Sequence, residues 1–191
     1  GLLMESKGEI QEADRLLTQA LDIRRRTFGE DHPLVASAMG EHASFLYRTG
    51  RPVQAEEVFR QAVAINLRTV GPDHTRHAGT LSGLAMALFR QGRLEEADSI
   101  MAESIRIRTK AQGRRTPVVA QNLAAQADIR TAMGRFQEAE DLILEALGIM
   151  EERSMEGVVP GRIHAAAVRL YEAWGRPAQA DAHRALAFDA G

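Results

Sequence analysis

The chain has 191 residues, 45% hydrophobic and 26% charged, with a net charge of −2 and no cysteine. This near-neutral balance argues against an electrostatic nucleic-acid footprint. The lack of cysteine excludes disulfides and thiolate metal sites and fits a reducing, cytoplasmic setting. The longest apolar runs, such as residues 84–89, are too short to cross a bilayer and no signal peptide is visible, so neither nucleic acid nor membrane is expected as a partner.

A glycine is followed five residues later by an alanine at Gly8/Ala13, Gly50/Ala55, Gly92/Ala97, Gly134/Ala139 and Gly175/Ala180, the glycines standing 42, 42, 42 and 41 residues apart. A fixed period of this size marks a repeat array, and it predicts one domain over 1–191. Residues 1–32 read as a partial repeat. Leu2, Leu3 and Met4 read as the end of a helix closed by a turn at Gly8, with a second helix over 9–27. This beginning suggests the C-terminal repeat segment of a longer protein.

The next repeat, 33–74, predicts helices over 33–49, with a Met39, Ala43, Leu46 stripe, and 51–69, with Ala55, Val58, Phe59, Ala62, Val63 and Ile65 at helical spacing. Repeat 75–116 follows suit, with Leu81, Leu84, Ala85 and Leu88 on 75–91 and Ala97, Ile100, Met101, Ser104, Ile105 and Ile107 on 93–111. Repeat 117–159 predicts helices over 117–133 and 135–153; Arg130 stands there where Leu46 and Leu88 stand. The segment 154–160 should be the least regular junction. Repeat 160–191 closes the array with helices over 160–174 and 176–188 and a more polar end. Alanines 43, 85 and 127, with 55, 97 and 139, should let paired helices approach closely, and a glycine supplies the turn of each hairpin. Acids lead the second helix of each pair and bases trail it, as the helix dipole favours.

Between repeats lies Gly29-Glu30-Asp31-His32-Pro33, echoed at Gly71-Pro72-Asp73-His74-Thr75. Here the aspartate is expected to cap the next helix, and the histidines to be structural or on the surface. The six histidines are otherwise scattered singly, His74 and His77 being three apart. No phosphate-binding glycine loop, His-Glu-x-x-His or nucleophile elbow occurs. No catalytic residue, cofactor or metal is expected, and the chain is read as not an enzyme.

The text Ala20-Leu21-Asp22-Ile23-Arg24, followed by Gly29 to Pro33, with Gly92-Arg93-Leu94-Glu95-Glu96-Ala97, resembles the 42-residue tetratricopeptide repeat of kinesin light chains. The resemblance implies an all-α, right-handed superhelical solenoid of antiparallel helix pairs and a protein-interaction scaffold. The first helix of each pair would line a concave groove that takes a peptide or helix. Carried onto this chain, that wall holds Tyr47, Arg48, Met86, Phe89, Arg90, Gln121, Asp128, Arg162 and Arg169 as candidate partner-binding residues. Where the family has paired asparagines, this chain has Gly40-Glu41, Ser82-Gly83 and Ala124-Ala125. Such small residues serve either helix packing or the close seating of a bulky ligand. Two alternatives stand beside the scaffold reading: a non-catalytic regulatory or sensor segment of a signalling enzyme, and self-association through the N-terminal edge.

Overall fold

The structure is a computed structural model that describes residues 2–152 and 158–188. Among these residues the fold is all-α, with α1 (Leu2–Phe28), α2 (Pro33–Arg48), α3 (Pro52–Thr69), α4 (Thr75–Arg90), α5 (Leu94–Gln112), α6 (Pro117–Ala132), α7 (Phe136–Glu152), α8 (Val158–Ala173) and α9 (Pro177–Phe188). They fall into two compact units, α1–α4 and α5–α9. In the first, α2 packs on α1 and α3, and α4 on α3 and α2. In the second, α6 packs on α5, α7 and α8, and α8 on α7 and α9. Bounds from α2 onward follow the predicted ones within two residues. The irregular junction expected at 154–160 lies mostly outside the described residues.

The hairpin turn is a backbone device. At Gly50, φ is 78°, a left-handed conformation that costs glycine nothing. That rotation lets the Gly50 amide donate to the Tyr47 carbonyl (3.2 Å) and the Arg51 amide to Leu46 (2.9 Å), which satisfies the last carbonyls of α2. The same bond pair recurs where Arg93, Arg135 and Arg176 follow their glycines. Gly8 departs from the expectation. It lies inside α1, so the predicted turn there is absent. Gly8 is followed by Glu9 where the four turning glycines are followed by arginine, and the stretch around it is rich in helix formers.

The junction caps also differ from the sequence reading. His32 and His74, not the aspartates before them, are the N-caps of α2 and α4, their Nδ1 atoms accepting from the amides of Leu34 (3.2 Å) and Arg76 (3.0 Å). An imidazole nitrogen here does the work usually given to a carboxylate or hydroxyl. Thr116 takes that place before α6. Asp31 instead forms an ion pair with Arg68. His77, expected to be structural or on the surface, is buried in α4.

The core is small residues interleaved with a few large ones. Ala43, Ala55, Ala85, Ala97, Ala127 and Ala139 are all buried, as are Met39, Phe59, Met101, Leu123 and Ile143. Two buried hydrogen bonds tie the second helix of one pair to the first of the next, Asn66 to Thr80 across α3 and α4 (2.9 Å) and Asn122 to Ser104 across α6 and α5 (3.1 Å). A buried amide without such a partner would be strongly destabilising. Gly83 has a packing reason: a Cβ there would stand 2.4 Å from the ring of buried Phe59. By contrast Gly40 has nothing within 4 Å.

These two helical glycines therefore respond oppositely to alanine. Gly83→Ala should lose about 1–3 kcal/mol to overpacking despite its better helix propensity. Gly40→Ala should gain up to about 1 kcal/mol. Denaturant melts of the two variants check both signs.

Candidate functional site

In the first unit, Tyr47 near the end of α2 meets Arg90 at the end of α4. The Arg90 guanidinium carbon lies 5.3 Å from the Tyr47 ring centroid, and its Nε donates to the tyrosine hydroxyl at 3.3 Å. This is an arginine stacked on an aromatic face with a hydrogen bond at its rim. Arg48 is exposed, and Met86 and Phe89 are half-buried. The structure thus joins Tyr47 to Arg90, one repeat apart, and leaves Arg48 in solvent.

In the second unit a groove of about 230 Å³ runs between α6 and α8. Gln121, Asp128, Arg162 and Arg169 line it, over a floor that includes Ala124, Ala125, Ala165 and Ala166. Equivalent positions of α6 and α8 lie side by side, which is why Gln121 shares a wall with Arg162 and Asp128 with Arg169. Arg169 grips Asp128 with two bonds, of 2.9 and 2.8 Å. The planar guanidinium fork matches both carboxylate oxygens. Arg162 is exposed, and no described acid forms an ion pair with it.

A second constellation was not found by sequence reasoning. Asp14, Glu56, Asp98 and Glu140 each stand six residues after one of the repeat glycines. Each meets the arginine that follows the next glycine: Asp14 with Arg51 (2.6 Å), Glu56 with Arg93 (2.7 Å), Asp98 with Arg135 (3.2 Å) and Glu140 with Arg176 (3.6 Å). A further donor completes each carboxylate. His42 faces Asp14 at 2.7 Å, Gln91 donates to Glu56 at 2.8 Å, and the Tyr171 hydroxyl donates to Glu140 at 2.9 Å. Asp98 receives Gln126 (2.8 Å) and Arg130 (3.0 Å), which explains why an arginine stands in place of Leu46 and Leu88. For Asp14 and Glu56, burial pushes the carboxyl up, but the hydrogen bonds from these donors outweigh it and hold both below the usual range. Burial, with the Glu140 bond, pushes the Tyr171 hydroxyl up to about 12. Arg176 also covers the ring of Trp174 at 3.4 Å, and that indole stacks on Phe136 at 5.7 Å between centroids. The recurring offset from glycine is the available signal; helix-dipole compensation alone accounts for the placing of Glu56, Asp98 and Glu140 but not for their partners.

His164 and His183, read as isolated, touch: their Nδ1 atoms are 2.8 Å apart across α8 and α9. Among the described residues no group of three or more histidines or acids is gathered to hold a metal ion, and no helix is long and apolar enough to cross a membrane.

A family model of the tetratricopeptide repeat matches residues 1–68 and 76–152. Two solved structures of nearly identical TPR-like repeats, from a Podosopora anserina protein named for kinesin light chain, are similar to the chain. One matches at 25% identity with a TM-score of 0.77, covering 95% of this chain and 88% of that one. The other matches at 24% with a TM-score of 0.71, covering 96% and 86%. BtubC (BKLC) from P. vanneervenii shares the fold at 20% identity and a TM-score of 0.79, over 97% of this chain and 74% of that one. No curated protein matches the sequence.

The acid–arginine contacts predict a position-specific loss of stability. Asp98→Ala removes the carboxylate shared by buried Gln126, Arg130 and Arg135, leaving Gln126 a weak bond to the residue's carbonyl and Arg130 its pair with Glu138, and should cost about 1–3 kcal/mol. The exposed neighbour Glu95→Ala should stay within about 0.5 kcal/mol of the parent. Urea unfolding of both variants makes the comparison.

Proposed function

Since the chain belongs to the tetratricopeptide repeat family, we propose that it is a protein–protein interaction scaffold that holds a peptide or helix against its inner helices. The observation that carries this reading is the groove between α6 and α8, where Gln121, Asp128, Arg162 and Arg169 converge over an alanine floor. Small side chains there admit a ligand backbone or an amphipathic helix closely, with polar groups at the rim to orient it. Arg162 offers an exposed fork for a ligand carboxylate. Tyr47, Arg48, Met86, Phe89 and Arg90 form a second contact surface on the first unit, with the stacked Tyr47–Arg90 pair as its anchor. The glycine spacing is unbroken across Arg93, which supports treating 1–191 as one array. We assign it no catalysis, cofactor or metal, and a cytoplasmic site of action.

A library of peptides selected on the parent chain tests the groove. Arg162→Glu and Ala125→Phe should each leave the melting temperature within a few degrees of the parent, yet weaken the selected peptides by roughly tenfold or more, about 1.4 kcal/mol. Unchanged affinity in both variants would sink the groove reading.

Self-association through α1 is a second reading, favoured by one comparison. Ile23 is 64% exposed, whereas its equivalents Ile65, Ile107 and Ile149 are 7%, 0% and 4% exposed. Leu16 is likewise exposed, whereas its equivalent Leu142 is buried. Covering such side chains is worth at most roughly 1.5–3 kcal/mol each, a contribution that favours pairing of copies. Sedimentation at rising concentration should then show a dimer that Leu16→Ser with Ile23→Ser abolishes; a monomer at every concentration removes this reading.

A further inference from the structure

The last helix pair carries a titratable contact that the scaffold reading does not use. His164 on α8 and His183 on α9 face each other through their Nδ1 atoms at 2.8 Å, with ring centroids 5.1 Å apart. The Tyr171 ring stacks parallel to His183 at 5.8 Å. For that Nδ1–Nδ1 bond to exist, one nitrogen carries a hydrogen and the other is bare. A single added proton leaves an N–H···N bond in place. Protonation of both rings sets two N–H heads and two positive charges against each other at hydrogen-bond distance, and turning a ring away breaks the contact without removing the charge repulsion.

Helix α9 depends on α8 for its packing. Among the described residues it packs on α8, with Ala180 buried at the contact and Arg184 bonded to Glu172 at 2.6 Å. We propose that the His164–His183 contact is a pH-sensitive latch, which fastens α9 to α8 at neutral pH and releases it when both imidazoles charge. This inference does not depend on the groove reading.

The surrounding charges agree with that direction. Burial pushes both imidazoles below their ordinary value; for His164 the facing His183 adds to this, and Glu151 on α7 opposes it. On α8, the Tyr171 hydroxyl, pushed up to about 12, stays neutral throughout the relevant range. Glu140 on α7 is engaged by that hydroxyl and by Arg176. Glu172 and Asp181 are both paired with Arg184. Free carboxylates titrate near 4, well below imidazole, so the histidines dominate between pH 7.5 and 5.5. The sign follows from the depressed values. Above about 6.5 the docked and released forms are both neutral and docking is at full strength. As pH falls below that ordinary value toward the lower docked-state values, the released form takes protons that the docked form resists, and docking is progressively lost.

Hydrogen exchange of the full chain, corrected for the intrinsic effect of pH on amide rates, reads the latch directly. Opening of the α9 amides should rise on the order of tenfold from pH 7.5 to 5.5, while α6 and α7 stay nearly constant. His183→Phe keeps an aromatic ring beside Tyr171 but cannot charge, and its α9 protection should lose most of the pH response, keeping only what the buried His164 contributes. His164→Lys places a fixed charge against His183 and should open α9 already at pH 7.5. Parental α9 protection that ignores pH, or an equal acid response in His183→Phe, would overturn the proposal.

Discussion

The contact on which most of this architecture rests is the acid–arginine bridge repeated through both units. Its two halves are set by different means. The carboxylate rides on an outer helix at a fixed offset from its own turn. The arginine is aimed by the two backbone bonds that close the next turn, such as the one at Gly50. Turn and bridge are therefore one device, and loss of the glycine conformation would misplace the side chain as well. An exposed ion pair is worth only about 0.2–1 kcal/mol. The acids are more enclosed than that: Glu56 and Asp98 keep 13% and 14% of their side-chain surface. Desolvation then offsets much of the attraction, so register is the main product. A helix slipped by one residue would carry the acid about 100° around the axis and away from its arginine.

Packing obeys the same period with different side chains. Position 80 holds a threonine that meets Asn66, while position 122 holds an asparagine that meets Ser104. The polar tie between repeats is kept, yet donor and acceptor arrive from different turns of the outer helix. Arg130 is a comparable exchange: where Leu46 and Leu88 fill apolar space, it reaches Asp98 and Glu138 instead. A repeat can thus trade a greasy contact for a charged one, provided a carboxylate already waits on the neighbouring helix.

The legible part of this fold was whatever its cause kept local. Helix bounds, turning glycines and the alanine crossings follow from spacing within one repeat, and these were found. Gly8 was misread because it shares the local text of the other repeats but not the arginine after it. The caps were misassigned because aspartate is the commoner capping residue, and a bare imidazole nitrogen does the same work. Of the candidate site, the 41-residue offset gathers Gln121 with Arg162 and Asp128 with Arg169, so that pairing was within reach of the period alone. The bridges join residues 36 or 37 apart across two helices, and only the superposition of all copies would have exposed them. His164 and His183 have no counterparts in earlier repeats, so no periodicity announced their contact.

Trp174 sits at the tip of the last hairpin, pressed between Phe136 and the Arg176 guanidinium. It is also the chain's single tryptophan. Its tryptophan emission is accordingly a local signal, reporting the α8–α9 corner and the first turn of α7. An array that lost order from its first helices would stay optically silent until the disturbance reached that corner, while circular dichroism would already have recorded the loss.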